Sequence, residues 1–285
     1  MKSVQSCALM LMLFSTSFVF GETMPASRFH VIRYPSASST CVYGVSNTNV
    51  AVGIYFDSSN KRHGFTVTAS GVFTTIDIPT DAVLQDINSS GTIVGYYTDA
   101  SGNYFAFRYA NGTFTDIGPP GSIETLAFGI NDDGVISGAY LDPSTGIYEG
   151  WIYNGSTYET LFGPQNAEVV SAHSTNLSGL TSIQWNDASG YVESSIYNGS
   201  IYKTANVPGA VDSEIYAINN AGDASYSWED SSGNFHAAVL VHGKFTKFDG
   251  PGCVYTYAYG LNDHRVVVGT CEQSGAITSG FYVPL

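Results

Sequence analysis

The sequence predicts an all-β fold, a six-bladed β-propeller with four antiparallel strands per blade, in which an N-terminal strand closes the last blade. Three observations predict it. Prolines that end strand-like runs fall at Pro35, Pro79, Pro120, Pro164, Pro208 and Pro251, at intervals of 44, 41, 44, 44 and 43 residues. A period of about 40–45 residues suits a four-stranded blade. Each interval carries turn signals only a few residues apart and no helical period. The last interval is one strand short, and a matching strand stands unclaimed at the other end of the chain.

Each unit parses in the same order. The first strand ends in YGVS, QDIN, FGIN, YAIN or YGLN, and an Asn-x-x-Gly turn follows, as in Asn88–Gly91, Asn131–Gly134, Asn176–Gly179 and Asn219–Gly222. Glycine supplies the positive φ that closes a hairpin, and asparagine bonds its own downstream backbone. Asn49 takes the glycine position in the first unit. The second strand (TIVGYY, VISGAY, VVVGTC) runs into an Asp-x-Ser-Gly turn or a relative. The third (FAFRY, EGWIY, SSIY, AAVLV) ends in Asn-Gly or His-Gly, and the fourth (FTTIDIP, FTDIGPP, FTKFDGP) ends at the proline. Blades are expected at about 36–79, 80–120, 121–164, 165–208, 209–251 and 252–285, the last completed by 28–35. The segment RFHVIRYP, Arg28 to Pro35, fits the fourth-strand pattern. Ring closure pairs edges that would otherwise invite aggregation. A linear solenoid is the alternative, and it would leave RFHVIRYP orphaned.

The repeat resembles the HAF family of probable extracellular repeat proteins. The resemblance rests on the Gly-Ile-Asn-x-x-Gly-x-Ile-x-Gly-Tyr core at Asp86–Tyr97 and Gly129–Tyr140, and on the Gly-x-Phe-Thr-x-Ile-Asp-x-Pro ending at Gly71–Pro79. It covers nearly the whole chain after the leader. It implies secretion and repetition rather than a particular reaction. The fourth and fifth units depart from the pattern, with Ser174 and Ile183, and then Tyr226, where glycine is expected.

Of 285 residues 44% are hydrophobic and 12% charged, enough apolar material for a core and too little charge for a disordered chain. The formal charge of -14 repels phosphate backbones and anionic lipid, which argues against nucleic acid and polybasic membrane anchoring. Lys2 precedes an apolar run from Cys7 to Phe20, read as a signal peptide over residues 1–21, with a single propeller domain over 22–285. No later stretch approaches membrane length. The expectation is a secreted or extracellular monomer without a transmembrane segment, the periplasm or a cell surface being open alternatives.

Beyond Cys7 the chain holds Cys41, Cys253 and Cys271. Cys253 and Cys271 lie nearly equidistant from the turn at Asn262–Arg265 on the first two strands of the last blade, so a cross-strand bridge is expected there. Cys41 is then a buried thiol. A Cys41–Cys253 bridge across the closure is the rival.

Counting back from the end of the first strand gives Asp81, Glu124, Glu168 and Asp212 in the four middle units, and Ser39 and Tyr255 in the first and last. The four acids begin the links between blades, so they are candidates for a carboxylate rim over the channel. Such a rim suits a hard cation, an amine or a polyol. No cofactor is expected, and calcium is the divalent cation such a rim would admit. Asp57, Asp99, Asp142, Asp187 and Asp230 open second-to-third-strand turns and read as backbone caps. His173, beside the atypical Ser174, is the histidine of most interest as a ligand contact. Tyr97, Tyr104, Trp151, Trp185 and Trp228 are candidates for sugar stacking or for filling space between blades. Asn-x-Ser/Thr sequons occur at Asn88, Asn111, Asn154, Asn176 and Asn198. Gly-x-Ser-x-Gly, phosphate loops and dinucleotide fingerprints do not occur. The leading expectation is a non-enzymatic binding or surface-interaction module for carbohydrate or an extracellular protein. The alternative is a propeller lyase or glycosidase using channel-mouth carboxylates.

Overall fold

A computed structural model describes residues 24–76, 81–164, 167, 169–274 and 277–285. The proposed signal peptide, Pro79 and Glu168 lie outside these residues. A 3₁₀ turn at Ala26–Arg28 leads into β1 (His30–Ile32). Blade 1 is β2 (Ser39–Val45), β3 (Ala51–Phe56), β4 (Arg62–Val67) and β5 (Phe73–Ile76). Blade 2 is β6 (Ala82–Ile87), β7 (Ile93–Thr98), β8 (Tyr104–Ala110) and β9 (Thr113–Asp116). Blade 3 is β10 (Thr125–Ile130), β11 (Ile136–Leu141), β12 (Tyr148–Tyr153) and β13 (Tyr158–Leu161). Blade 4 is β14 (Val170–Thr175), β15 (Thr181–Asn186), β16 (Val192–Tyr197) and β17 (Tyr202–Thr204). Blade 5 is β18 (Ser213–Ile218), β19 (Ala224–Glu229), β20 (Phe235–Val241) and β21 (Lys244–Phe248). Blade 6 is β22 (Cys253–Leu261), β23 (Val266–Gln273) and β24 (Ile277–Pro284), with β1 as its outer strand.

Closure follows the expected route. β1 pairs antiparallel with β24 in the register His30↔Tyr282, Val31↔Phe281, Ile32↔Gly280. First strands touch one another in sequence, and β2 touches β22, so they form the inner ring of a six-bladed propeller. The solenoid alternative is thereby overturned.

The hydrophobic core is distributed as six clusters, one between each neighbouring pair of blades. The seam cluster joins Val42, Phe65 and Val67 of blade 1 to Val268 and Ile32 of blade 6. In four blades a second-strand glycine faces a third-strand aromatic: Gly53 opposite Phe65, Gly95 opposite Phe107, Gly138 opposite Trp151, and Gly269 opposite Phe281. A Cβ on Gly138 would drive into the Leu126 carbonyl and come within 2.7 Å of the Trp151 ring. The two atypical units exchange the bulk. Ile183 faces Ser195, and Tyr226 faces Ala238, all four fully buried. The large side chain has moved from the third strand to the second, which is why the glycine column breaks there. Trp151 belongs to this core, with none of its surface exposed, and so cannot stack on a sugar.

Cys253 and Cys271 are bridged, with Cα atoms 5.4 Å apart, and Cys41 is free. The two cysteines are not direct cross-strand partners: Cys253 faces Gln273, Cys271 faces Thr256, and a bulge between Cys253 and Tyr255 brings them together. Among the described residues no helix is long and apolar enough to cross a membrane.

Candidate functional site

Every inner strand carries a β-bulge at the same step, after Val42, Leu84, Ala127, Ala172, Ile215 and Ala258, and β22 has the further one at the disulfide. The residue each bulge leaves unpaired is Tyr43, Gln85, Phe128, His173, Tyr216 and Tyr259 in turn. All six line one small cavity of about 80 Å³ on the channel axis. Phe128 stacks on His173 at 4.5 Å between ring centroids, His173 meets Tyr216 edge-on at 5.2 Å, Tyr216 meets Tyr259 at 4.8 Å, and Tyr259 meets Tyr43 at 5.2 Å. Five rings and one amide thus plug the channel. A bulge re-aims a side chain without ending the strand, and here it does so once per blade. Burial raises the pKa of the Tyr43, Tyr216 and Tyr259 phenols. Burial also pushes His173 down to about 3, so the imidazole is neutral; its Nε2 lies 3.0 Å from Ser171 Oγ.

Above the plug, the turns after the inner strands form a polar collar. The recurring asparagine has two jobs. Its Oδ1 accepts amides of its own turn, as Asn219 does from Ala221 and Asp223. Its Nδ2 donates to the corresponding carbonyl of the next blade: Asn88 to Asn131, Asn176 to Asn219, Asn219 to Asn262, and Asn262 to Ser46. The following residue adds a second ring of bonds. Asp132 accepts from the Ser89 amide at 2.8 Å, and Asp263 from the Asn220 amide at 2.8 Å. Asn47 Nδ2 reaches both carboxylates, at 3.0 Å and 2.8 Å. Asn88 and Asn176 are 5% and 4% exposed, so two of the five sequons are interior collar residues, whereas Asn111, Asn154 and Asn198 are exposed.

Two carboxylates that spacing alone did not single out stand near the plug. Asp86 occupies the step where other blades place Gly44, Gly129, Ser174, Ala217 and Gly260. It accepts the Ile87 amide at 2.9 Å and, across the blade boundary, the Ile130 amide at 3.0 Å. Burial raises it to about 7. Glu214 accepts the Tyr216 hydroxyl at 2.6 Å, and burial raises it as well.

Of the acids nominated from the sequence, the three within the described residues sit at the opposite ends of the inner strands. Asp81 is exposed, and Arg62 Nη1 donates to its carbonyl at 3.4 Å. Glu124 accepts the Tyr148 hydroxyl, and Asp212 accepts the Val192 amide at 2.8 Å. Glu124 and Asp212 thus have partners of their own, and none of the three lines the plugged mouth, whereas His173 does. Among the described residues no three His, Cys, Asp or Glu side chains gather closely enough to hold a metal ion. The turn aspartates cap backbone amides as expected, Asp187 accepting from Ser189 at 2.8 Å and from Tyr191 at 3.1 Å.

The outer part of the blades presents a different pattern. Two residues past the glycine step, Tyr55, Tyr97, Tyr140, Trp185 and Trp228 are half-buried beside the outer strands. Tyr97 donates to Asp116 at 3.2 Å and Tyr140 to Glu149 at 2.8 Å. Trp228 stacks on His236 at 4.6 Å, and Lys247 Nζ lies 3.6 Å from the centre of its ring. His236 Nδ1 lies 3.0 Å from both Asp249 oxygens. Tyr104 is exposed at the start of β8, edge-on to Tyr96 at 5.6 Å, and stands apart from this series.

No family model matches the chain, and no curated protein matches it in sequence. Solved structures do match in shape. A mutant of the Aleuria aurantia lectin in complex with Fucalpha1-6GlcNAc aligns with a TM-score of 0.56 and 9% identity over 88% of this chain and 93% of its own. A fungal lectin described as a six-bladed β-propeller with a novel fucose recognition mode, also from Aleuria aurantia, gives 0.54 and 11% over 89% and 93%. TolB from Acinetobacter baumannii gives 0.58 and 10% over 88% of this chain and 65% of its own. At such identities the likeness is one of fold, and the fold is the six-bladed propeller.

Proposed function

We propose that this chain is a secreted, non-enzymatic carbohydrate-binding propeller. The observation that carries the reading is the half-buried aromatic repeated beside the outer strands, Tyr55, Tyr97, Tyr140, Trp185 and Trp228. Of these, Tyr55 is stacked on Tyr34 and His63 and Trp228 is sandwiched by His236 and Lys247, so that Tyr97, Tyr140 and Trp185 are the ones left to meet a sugar. Asp116 and Glu149 lie within hydrogen-bonding reach of two of these rings, and His236 with Asp249 flanks a third. A sugar offers an apolar C–H face to a ring and hydroxyls to the acceptors beside it. The plugged axis supports placing recognition on the outside of the ring. The lectins of similar shape are crystallised with, or described as recognising, fucose, which supports the same class of ligand. The Cys253–Cys271 bridge and the apolar leader support export, because disulfides persist in oxidising compartments. The resemblance to HAF-type repeats belongs to the same reading.

The test is a glycan panel read by thermal shift. A ligand at a hundred times its Kd adds about 2.7 kcal/mol to apparent stability. The expected result is a raised Tm with at least one glycan, diminished in Trp185→Ala or Tyr140→Ala. Release of sugar products that depends on Asp81, Glu124 and Asp212 would instead favour a lyase or glycosidase.

A further inference from the structure

Five blades join their third and fourth strands by a tight hairpin on the collar face. Blade 6 cannot, because its fourth strand is β1, from the far end of the sequence. β24 runs on to Pro284, while β1 pairs only from Tyr282 to Gly280. At this point the seam between blades 6 and 1 opens into a cavity of about 680 Å³, within the range of small-ligand sites. The corresponding cleft between blades 2 and 3 measures about 510 Å³ and has Arg108 and Asp133 on its walls.

We propose that the seam cavity binds a neutral saccharide. The inference rests on the carbohydrate-binding reading and adds a site apart from the outer-strand aromatics, with the charge of the sugar it takes. One wall is the His30 ring stacked on Tyr282, 4.4 Å between centroids and 10° from parallel. The floor is apolar, built from Val45, Ala51, Val67 and Val268. The opposite wall, from blade 1, carries Asn49, Thr68 and Ser70. Asn49 Oδ1 is occupied by Asn262 Nδ2 at 2.9 Å, and among the described residues its own Nδ2 has no partner. The Thr68 and Ser70 hydroxyls lie 2.9 Å apart, and Thr68 Oγ1 also accepts the Val72 amide at 3.2 Å, which leaves Ser70 Oγ with the greater remaining hydrogen-bonding capacity.

An aromatic wall, an apolar floor and uncharged donors and acceptors match a sugar ring: one face of C–H groups, one edge of hydroxyls. Among the described residues no Asp, Glu or Lys lines the cavity. Arg33 lies on the lining, yet its guanidinium turns away to Gln273 Oε1 at 3.2 Å. Nothing there selects a cation or an acidic sugar. An acyl chain would fill the floor but offer no acceptor to Asn49 Nδ2.

The experiment is saturation-transfer NMR and titration with the methyl glycosides of fucose, galactose, mannose and N-acetylglucosamine. Parent protein is compared with His30→Ala, Ser70→Ala and Lys203→Gln, the last an exposed change on β17. The expected result is binding of at least one glycoside, weakened tenfold or more in His30→Ala and Ser70→Ala and unchanged in Lys203→Gln, with unaltered melting of the free variants. Glycoside binding that survives both seam changes would overturn the seam inference and leave the carbohydrate reading standing. Displacement of the glycoside by a fatty acid from the same cavity would also overturn it. If neither these glycosides nor any member of the wider glycan panel binds the parent protein, the carbohydrate reading falls, and the seam inference with it.

Discussion

Asn262 of blade 6 donates its Nδ2 to the backbone carbonyl of Ser46 in blade 1, 2.9 Å away across the join between the two ends of the chain. The same side chain accepts the amides of His264 and Val266 through Oδ1, at 3.1 Å and 2.9 Å. It is 3% exposed, so each of these groups would be left without water if the side chain were cut back. Asn262→Ala should cost about 2–3 kcal/mol by chemical denaturation. Asn198→Ala, at an exposed hairpin whose Oδ1 bonds only Ser200 and Ile201, should cost less than half as much. Equal losses would mean that the collar contributes only turn capping.

Asp86 makes stability depend on pH in an unusual direction. Burial raises it from 3.8 to about 7, the Ile130 and Ile87 amides oppose that rise, and the Asp132 charge adds to it. The folded chain therefore holds this proton more tightly than the unfolded one. The stabilisation is complete below the unfolded value and is lost as pH rises through about 7, by at most on the order of 4 kcal/mol. Glu214 shifts in the same direction. Asp86→Ser, the side chain blade 4 uses at this step, should flatten the fall in unfolding free energy between about pH 4.5 and 8. Parallel pH profiles for parent and variant would refute the assignment.

The Gly138–Trp151 pair and its inverted counterpart Ile183–Ser195 make packing testable as a unit. Gly138→Ala alone should cost more than about 3 kcal/mol, because the new methyl meets the Leu126 carbonyl and the indole. Trp151→Ser alone leaves a cavity and should cost about 3–5 kcal/mol. Gly138→Ile with Trp151→Ser should be less destabilising than the sum of its two single changes by at least about 1 kcal/mol in a double-mutant cycle. Strict additivity would show that the exchange of bulk is not what accommodates Ile183.

Arg265 Nε donates to Asp223 Oδ2 at 2.8 Å, bridging blades 6 and 5, and the Asp223 side chain is 1% exposed. Burial alone would raise that carboxyl; the Arg265 guanidinium and the His242 amide together hold it below its usual range. Removing the cation strands a buried charge. Arg265→Asn, which tolerates the local φ of 58°, should lose about 3 kcal/mol above about pH 5, with the deficit shrinking as pH falls and Asp223 protonates. A deficit independent of pH would point to backbone strain instead.

Blade number, strand order and closure were legible because turn chemistry repeats with period. Asn-x-x-Gly, Asp-x-Ser-Gly and the strand-ending prolines are local signals, and RFHVIRYP carries its pattern wherever it pairs. The disulfide was legible as a distance along a hairpin, although the bulge that makes it possible was not. The plug was hidden for the same reason. A bulge shifts alternation by one residue, so Tyr43, Phe128 and Tyr216 read as ordinary strand positions. The inter-blade bond of Asn88 or Asn262 was invisible because turn capping already accounts for asparagine. Counting back to Asp81, Glu124 and Asp212 located the ends of inner strands correctly, yet spacing along one strand says nothing about which neighbour a carboxylate meets. Trp151 looked like Trp185 because composition does not tell the middle of a packed blade face, where Trp151 is buried, from the edge of that same face, where Trp185 is half-buried.

The pairing of His30 with Tyr282 also sets an order of events in biosynthesis. His30 is made long before Tyr282, so the ring cannot be sealed until β24 has been synthesised. Until then the inward-facing Ile32 and the far edge of β24 are apart, and contacts so distant in sequence form slowly. Any premature stop upstream of β24 therefore yields a product in which β1 has no partner and the ring can never close.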